Sequence, residues 1–278
     1  MKYIVVDDRI IGDNYKTFIV AEIGINHGGD IELAKKLITA AIKNGADAVK
    51  FQTYITEKRV PKNDPLFPIL KKCEFKKEET IEIFEFAQKK HIIFFSTPFD
   101  EESVDLLANL NVPLLKISSF DIVNKKLLEK AAKTHIPVVL SRGMANTNEI
   151  ETALQIYKKY NTKYILLHCV SSYPTQHKDA NLNAIKILKE KYDCPVGYSD
   201  HTLGITVPVY AVAVGACVIE KHFTLDKTLK GPDHSISADP AEFKRMVRKI
   251  RDLELILGNG NIMMSDAEKK SIIYRRKS

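Results

Sequence analysis

Short runs rich in β-branched and aromatic residues alternate with longer segments of helical periodicity, eight times in succession along this chain. Pro113, Pro137 and Pro195 each directly precede one of the short runs, where a helix has to end. The pattern predicts strands at residues 18–23, 48–52, 92–97, 114–118, 138–141, 164–170, 196–199 and 218–222. It predicts helices at residues 31–44, 78–90, 101–110, 125–134, 148–160, 182–191, 205–214 and 240–257.

Eight strand–helix units fit a (β/α)8 TIM barrel, an α/β fold that typically needs about 250 residues. An open, doubly wound sheet is the alternative, but no G-x-G-x-x-G motif follows the first predicted strand, and there is no P-loop. Short strands at 3–6 and 9–11, with a turn at Gly12-Asp13-Asn14, predict an N-terminal hairpin within residues 1–17 that covers the barrel bottom. We expect the barrel at residues 18–258 and a tail or linker at residues 259–278.

The composition indicates a cytoplasmic protein with one large core. The 278 residues are 45% hydrophobic, and the four cysteines show no metal-binding spacing. No apolar segment has the length of a signal peptide or a membrane span. The net charge of +7 would permit nucleic acid as a partner, but the lysines occur as pairs interspersed with glutamates, and nucleic-acid-binding motifs are missing. We expect neither nucleic acid nor a membrane as a partner.

Two histidines stand at the carboxyl ends of successive predicted strands, the face on which TIM barrels carry their active sites. His201 and His222 follow strands that a crossover helix at 205–214 would place side by side. Asp233, in the loop beyond, could reach the same place. Two converging imidazoles predict a divalent metal site with open coordination positions.

Other polar residues complete this ring of strand ends. Buried lysines among hydroxyl groups are costly unless an anion compensates their charge, and phosphate or carboxylate is the natural ligand for such donors. The strand ends supply Glu22, Lys50, Gln52, Ser96, Thr97, Lys116, Ser118, Ser119, Ser141, Arg142, Ser171, Tyr173, Ser199 and Glu220.

Eight segments spread through the predicted barrel form a specific series. They read FIVAEIGINHGG (18–29), DAVKFQTY (47–54), FSTPFD (95–100), LLKISS (114–119), LHCVSSYPT (167–175), GYSDHTLG (197–204), EKHFTLD (220–226) and GPDH (231–234). In this order they resemble the sialic acid synthase family, which comprises N-acetylneuraminate, legionaminate and pseudaminate synthases. The resemblance implies a metal-dependent condensation of phosphoenolpyruvate with an open-chain N-acyl hexosamine, which gives a nonulosonic acid and phosphate.

The resemblance also implies roles for individual residues. His201 and His222 would bind the metal, usually Mn²⁺ with Mg²⁺ or Co²⁺ as alternatives, and act in catalysis with Glu22. We expect Glu22 to handle the proton of water or of a hydroxyl group; the alternative is a carboxylate that only balances the lysines. The sugar side would comprise Glu22, Gln52, Tyr173 and Asp233. Phosphoenolpyruvate would contact Lys50, Thr97, Lys116, Ser119, Ser141, Ser171 and Ser199.

Some positions depart from the family pattern or need a separate interpretation. Ser171 stands where N-acetylneuraminate synthases commonly have Asn, which leaves legionaminate-type sugars open. Arg142 stands where Thr is frequent, and we expect it to add a phosphate contact or to face solvent. Cys169 ends a strand near the site, but His168 would point to the opposite face, so we expect a buried structural thiol.

Family members usually continue past the barrel into a small antifreeze-like domain, which in their dimers contributes an arginine to the N-acyl group of the sugar. This sequence ends with SIIYRRKS (271–278), about where such a domain should begin. We expect either a part of a longer protein or a barrel-only form, with a homodimer as one arrangement. A barrel alone would bind phosphoenolpyruvate and metal but would bind the sugar weakly and turn over slowly.

Two other functions stay open at this point. One is a phosphoenolpyruvate-dependent synthase with a sugar phosphate as acceptor, which assays of phosphorylated against free hexosamine would identify. The other is a non-catalytic sugar- or phosphate-binding barrel, against which the presence of Glu22, Lys50, His201 and His222 argues.

Overall fold

In the computed structural model, which describes residues 2–276, the chain begins with an antiparallel hairpin of β1 (Tyr3–Val6) and β2 (Arg9–Gly12). Val6 pairs with Arg9, so the hairpin turn is Asp7-Asp8, and Asp7 has a φ of 50°. The prediction that Gly12-Asp13-Asn14 makes this turn is wrong. A two-residue connection already closes the hairpin, and Asp tolerates the left-handed conformation. Residues 13–17 instead lead into the first barrel strand.

Eight parallel strands follow and close into a barrel in chain order, with the last strand pairing with the first. The TIM-barrel prediction is confirmed, and every predicted strand end lies within one residue of the observed end. The strands are β3 (Phe18–Gly24), β4 (Ala48–Thr53), β5 (Ile93–Pro98), β6 (Leu115–Ile117), β7 (Val138–Ser141), β8 (Tyr164–Cys169), β9 (Val196–Asp200) and β10 (Val218–His222).

Helices surround the barrel, and side chains cap the starts of several of them. Asp30, Asp100 and Asn124 each accept a hydrogen bond from a backbone N–H of the first turn, which satisfies one of the free donors there. The helices are α1 (Ile31–Lys43), α2 (Thr56–Arg59), α3 (Phe67–Cys73), α4 (Lys77–Lys89), α5 (Glu101–Asn109), α6 (Lys125–Lys133), α7 (Thr147–Lys159), α8 (Asn183–Lys191), α9 (Thr206–Ala213) and α10 (Pro240–Leu257). Short 3₁₀ helices occur at His177–Asp179, His234–Ile236 and Asp266–Tyr274.

Helices α2 and α3 were not predicted from the sequence. They lie in the connection from β4 to α4, a segment with prolines at 61, 65 and 68 that is too short and irregular to show a helical period. Leu70 and Cys73 of α3 pack with Ile25 and Tyr54 in a small apolar cluster. The Tyr54 hydroxyl donates to the Leu70 carbonyl over 2.9 Å, which ties this segment to the carboxyl end of β4.

The barrel interior near the amino ends of the strands is filled by apolar side chains. Phe95, Leu114 and Val139 belong to one cluster with Ile4 and Ile11 of the hairpin, and none of the five is more than 3% exposed. The hairpin therefore closes the bottom of the barrel. The interior near the carboxyl ends is left for polar groups.

The chain leaves the barrel after α10, which ends at Leu257 and is followed by Gly258 with a φ of 62°. Residues 259–276 are exposed to solvent. Within the described part of the chain, no helix combines the length and the apolar composition needed to cross a membrane.

Candidate active site

A cavity of about 220 Å³ opens at the carboxyl ends of the barrel strands. Ser96 and Arg142, from the predicted ring of strand ends, do not line it, and neither does Ser171, which was expected to bind phosphoenolpyruvate. Its hydroxyl lies behind the wall, 2.8 Å from that of Ser119. The other predicted residues in the lining are Glu22, Lys50, Gln52, Thr97, Lys116, Ser119, Ser141, Tyr173, Ser199, His201, His222 and Asp233.

The two-residue period of a strand decides which side chains reach this cavity. In β10, Glu220 and His222 line it, whereas Lys221 between them points outward. In β9 and the residue after it, Ser199 and His201 line the cavity, whereas Asp200 points outward and pairs with Lys221. The two strands pair in register, with Glu220 opposite Ser199. This register brings the two histidines to neighbouring strand ends.

Buried ion pairs occupy the floor of the cavity. Lys116 Nζ donates to Glu220 Oε1 over 2.9 Å and to Ser141 Oγ over 2.7 Å. Lys50 Nζ lies 2.5 Å from Glu22 Oε2, an ion pair without hydrogen-bond geometry, and donates to Thr97 Oγ1 over 3.2 Å. All four charged side chains are at most 6% exposed. Both ammonium groups therefore stand beside hydroxyl groups, which could in turn donate to a small anion.

The two carboxylates differ in how burial and neighbouring charge affect them. Burial raises the pKa of Glu22 to about 7, although Lys50 opposes this shift. Burial also favours the neutral form of Glu220, but Lys116 and Lys50 together outweigh it and lower the pKa of Glu220 to about 2. Glu220 is thus a fixed anion, and Glu22 can exchange a proton near neutral pH.

His201 and His222 lie close together, with ring centroids 5.7 Å apart. His201 Nδ1 lies 2.8 Å from the Val170 carbonyl oxygen and donates to it, which leaves the lone pair on Nε2. His222 Nδ1 is buried and has no hydrogen-bond partner. Burial lowers the pKa of His201 to about 4 and that of His222 to about 3, so both rings are neutral at pH 7.

The outer part of the cavity holds the residues expected on the sugar side. The Tyr173 ring centroid is 4.2 Å from that of His201. Asp233 Oδ2 lies 3.8 Å from His222 Nδ1. Gln52 Oε1 accepts a hydrogen bond from Arg59 over 2.9 Å. Burial raises the pKa of Tyr173 and of Asp233.

Arg142 contradicts both alternatives that the sequence offered for it. Its Nη2 lies 2.8 Å from His168 Nδ1, and its Nη1 donates to the Gly143 carbonyl over 3.0 Å. The side chain therefore leaves the barrel on the outer face, neither in the cavity nor free in solvent. Cys169 lines the cavity and is buried, while His168 points outward, as expected from the strand period.

Comparison with known proteins identifies the family of this barrel. The model of the NeuB family matches residues 37–262. This chain belongs to the NeuB family. It is an enzyme of the N-acetylneuraminate synthase type, as the sequence predicted.

Two relatives and a solved structure show how far this likeness extends. An uncharacterised protein of Methanocaldococcus jannaschii is 50% identical, over 100% of this chain and 83% of that protein. The N,N'-diacetyllegionaminic acid synthase of Legionella pneumophila is 43% identical, over 95% of this chain and 82% of its own length. The crystal structure of N-acetylneuraminic acid (sialic acid) synthetase from Leptospira borgpetersenii, in complex with citrate, superposes with a TM-score of 0.95. That structure is 47% identical, and the match covers 99% of this chain and 96% of that one.

Several residues that line this NeuB-family site had no assigned role in the sequence prediction. Glu220 was placed in the ring of strand ends, but only the structure shows that it pairs with Lys116. The two-residue period shared with His222 was the available signal. Arg59, the last residue of α2, and Phe120, in the loop after β6, also line the cavity, and no sequence pattern indicated the path of either segment.

Proposed function

We propose that this NeuB-family enzyme condenses phosphoenolpyruvate with an open-chain N-acyl hexosamine and releases phosphate. The observation that carries the proposal is the floor of the cavity. There, Lys116 and Lys50 stand beside the hydroxyls of Ser141 and Thr97. The names of the relatives, which include acid synthases, support a nonulosonic acid as the product.

The lysines and hydroxyls would bind the carboxylate and the phosphate of phosphoenolpyruvate. In the structure, the two ammonium groups are neutralised by Glu22 and Glu220. An incoming anion would take over part of this pairing, and Glu22 would then be free to act elsewhere. Because these donors are buried, each contact with the anion is stronger than it would be in water.

The two imidazoles fit a divalent ion. His222 Nδ1 is a buried nitrogen without a partner, and His201 keeps the lone pair of Nε2. No group of three His, Cys, Asp or Glu positioned for one ion occurs in residues 2–276, so water or substrate oxygens would complete the coordination. Mn²⁺, or else Mg²⁺ or Co²⁺, held by His201 and His222 would polarise the aldehyde oxygen as a Lewis acid.

The proposed reaction forms one carbon–carbon bond and replaces the carbon–oxygen bond to phosphate with one to water. Carbon 3 of phosphoenolpyruvate attacks the aldehyde carbon, whose oxygen takes up a proton and becomes a hydroxyl group. Water adds to carbon 2 and loses one proton, and the tetrahedral carbon then expels phosphate while its new hydroxyl group loses the second proton, which leaves a keto acid. Lys50 and Lys116 stabilise the anionic groups throughout. Glu22, with its pKa raised to about 7, accepts the proton of the attacking water.

Phosphate release tests this proposal. The protein is incubated with Mn²⁺, phosphoenolpyruvate and a panel of N-acyl hexosamines. We expect phosphate release that requires both the metal and a hexosamine. His222→Ala should reduce it to background and should weaken Mn²⁺ binding measured by electron paramagnetic resonance, because a single imidazole is left.

His177→Ala is the matched control, because His177 is an exposed histidine outside the cavity. It should leave metal binding and phosphate release unchanged. Full activity of His222→Ala at limiting Mn²⁺ would show that the metal assignment is wrong. A lack of phosphate release with every hexosamine would contradict the condensation itself.

A further inference from the structure

The loop that joins β10 to α10, residues 223–239, carries Asp233 to the wall of the cavity. The Asp233 carboxylate accepts no hydrogen bond from residues 2–276. His222 Nδ1, at 3.8 Å from Asp233 Oδ2, is too distant for one. The position of this carboxylate is therefore determined by the backbone of the loop and not by contacts of its own.

Backbone hydrogen bonds close the base of this loop against the end of β10. Ala238 N donates to the His222 carbonyl over 2.8 Å, and Thr224 N donates to the Ala238 carbonyl over 3.1 Å. His234 Nδ1 and Thr224 Oγ1, 2.7 Å apart, connect the two sides of the loop. None of these three contacts fixes the loop to another segment at the carboxyl ends of the strands.

Asn26, in the turn after β3, makes such a connection through its side chain, which is buried. Nδ2 donates to the Phe223 carbonyl over 2.9 Å and to Ser237 Oγ over 2.9 Å. Ser237 Oγ donates to the Asp233 carbonyl over 2.6 Å. A hydroxyl has a single proton, so Ser237 has to accept from Asn26 in order to donate to Asp233. A chain of hydrogen bonds thus runs from Asn26 to the backbone of Asp233.

The partners of Asn26 also fix the orientation of its amide. The Phe223 carbonyl can only accept, so the amide nitrogen and not the oxygen faces it. Both sides of Nδ2 are thereby used on one loop, while Asn26 Oδ1 is buried without a partner in the described part of the chain. Because this amide leaves its own oxygen unsatisfied, its contribution lies in the position of the loop that it binds.

Asp233 and Glu22 approach each other over Gly24, which has a φ of 56°. A Cβ atom at Gly24 would lie 3.0 Å from Glu22 Oε1 and 3.7 Å from Asp233 Oδ2. The two carboxylates therefore border the same part of the cavity. His222, which would hold the metal and the acceptor aldehyde, lies beside them.

We propose that Asn26 is a positioning residue for the acceptor sugar, because it acts through Ser237 to hold the Asp233 carboxylate against a hydroxyl group of the sugar; this rests on the proposed condensation. A misplacement of about 1 Å at a binding group can cost about 100-fold in rate. Lys116 and Ser141 lie on β6 and β7, and β6 is opposite β10 in the closed barrel. Binding of phosphoenolpyruvate there should not depend on Asn26.

Initial-rate kinetics tests this role with N-acetylmannosamine and a di-N-acetylated hexosamine, of which the acceptor with the higher kcat/KM is used throughout. Ser237→Ala interrupts the chain of hydrogen bonds, and Asn26→Ala removes its start. We expect KM for the acceptor to rise about 10-fold in Ser237→Ala and about 10- to 100-fold in Asn26→Ala, because buried acceptors lose their donors and the loop shifts. The kcat should change less than about 3-fold, because the contact binds ground state and transition state alike.

The dissociation constant of phosphoenolpyruvate, measured by calorimetry, should stay unchanged in both variants, which also shows that they are folded. Ser235→Ala is the matched control for Ser237→Ala, because Ser235 is exposed in the same loop and does not line the cavity. Asn109→Ala is the control for Asn26→Ala, because Asn109 is exposed at the end of α5. Neither control should change KM.

A double-variant cycle with Asp233→Ala separates positioning from a general loosening of the fold. If Asn26 acts through Asp233, Asn26→Ala should raise KM less than about 3-fold once Asp233 is already Ala. A merely structural role would give the full increase in both backgrounds. Should Asn26→Ala fail to fold, Ser237→Ala is used in the same cycle.

The results distinguish this inference from the condensation on which it rests. An unchanged KM in the Asn26 and Ser237 variants, an equal increase in Ser235→Ala, or a full increase in the Asp233→Ala background would overturn the positioning role and leave the condensation standing. If no acceptor releases phosphate, the condensation fails. The dissociation constant of the same sugar, measured by calorimetry, then replaces KM in the cycle: coupling between Asn26 and Asp233 supports the inference, and independent effects or no binding overturn it.

Discussion

Strands β9 and β10 carry charged side chains on both faces, and the two sets have different surroundings. On the outer face, Lys221 Nζ lies 2.7 Å from Asp200 Oδ2 and also donates to the Thr202 carbonyl. The side chains of this pair are at most 1% exposed. On the inner face, Glu220 pairs with Lys116 and borders the cavity.

The outer pair is complete without a ligand, and the inner set is not. Asp200 also accepts from the Thr202 hydroxyl over 2.9 Å, and neither member of the pair has a buried polar atom without a partner. On the inner face, His222 Nδ1 is buried and has no hydrogen-bond partner. Burial of charge alone therefore does not identify a functional site. An incomplete set of partners beside a cavity does.

The largest expected effect is a loss of stability when the outer pair is broken. Asp200→Asn keeps the shape of the side chain but leaves Lys221 as a buried charge without a counter-ion. We expect the free energy of unfolding to fall by about 3–5 kcal/mol, measured by urea denaturation.

The double variant Asp200→Asn/Lys221→Met removes the buried charge and should recover most of this loss. A single variant that loses less than about 1 kcal/mol would contradict the view that the outer pair is a desolvated structural unit.

A substitution on the inner face should weaken ligand binding more than it lowers the free energy of unfolding. Lys116→Met removes one ammonium group from the proposed anion site, so the affinity for phosphoenolpyruvate should fall by about 3 kcal/mol, or roughly 100-fold. The loss should be the same with every acceptor sugar. Unfolding should be affected less than in Asp200→Asn, because water in the cavity can hydrate Glu220.

Titration calorimetry measures this affinity, and Lys126→Met is the control. Lys126 is 80% exposed and pairs with Glu101 on the surface, so its loss should change neither binding nor unfolding by more than about 0.5 kcal/mol. An unchanged affinity in Lys116→Met would remove this lysine from the anion site.

His27 sharpens the comparison, because it has an unsatisfied nitrogen but does not line the cavity. Its Nε2 is buried without a partner, its ring stacks 4.0 Å from Phe75, and burial lowers its pKa to about 3. Below pH 6.5 the unfolded chain binds a proton that the folded chain does not, so this stabilisation is lost as the pH falls towards 3. The loss from this one group should be about 2 kcal/mol between pH 6.5 and 5.

His27→Phe keeps an aromatic ring against Phe75. Between pH 6.5 and 5, the free energy of unfolding of this variant should fall by about 2 kcal/mol less than that of the unaltered protein. The contributions of His201 and His222 are present in both proteins and cancel. His177→Phe should keep the original slope, since His177 is exposed. Equal slopes in the unaltered protein and His27→Phe would show that His27 titrates normally in the folded state.

The amino-acid sequence determined the barrel and most of the cavity lining. Strand and helix periods are local properties of the chain, and they located all eight barrel strands and the eight predicted helices to within one residue at each end. The two-residue period also determined which side chains at the ends of β9 and β10 face inward, which is why His201 and His222 could be predicted as neighbours.

Only the tertiary structure decided which polar groups become partners. Arg142 turns outward to His168, and Arg59 reaches the cavity wall by packing on the Tyr54 and Phe99 rings, from a short helix without a recognisable period. Lys116 and Glu220 are 104 residues apart in the chain yet form one ion pair across the barrel. The chain encodes local periods directly, but a pairing across the barrel depends on the closed register of all eight strands.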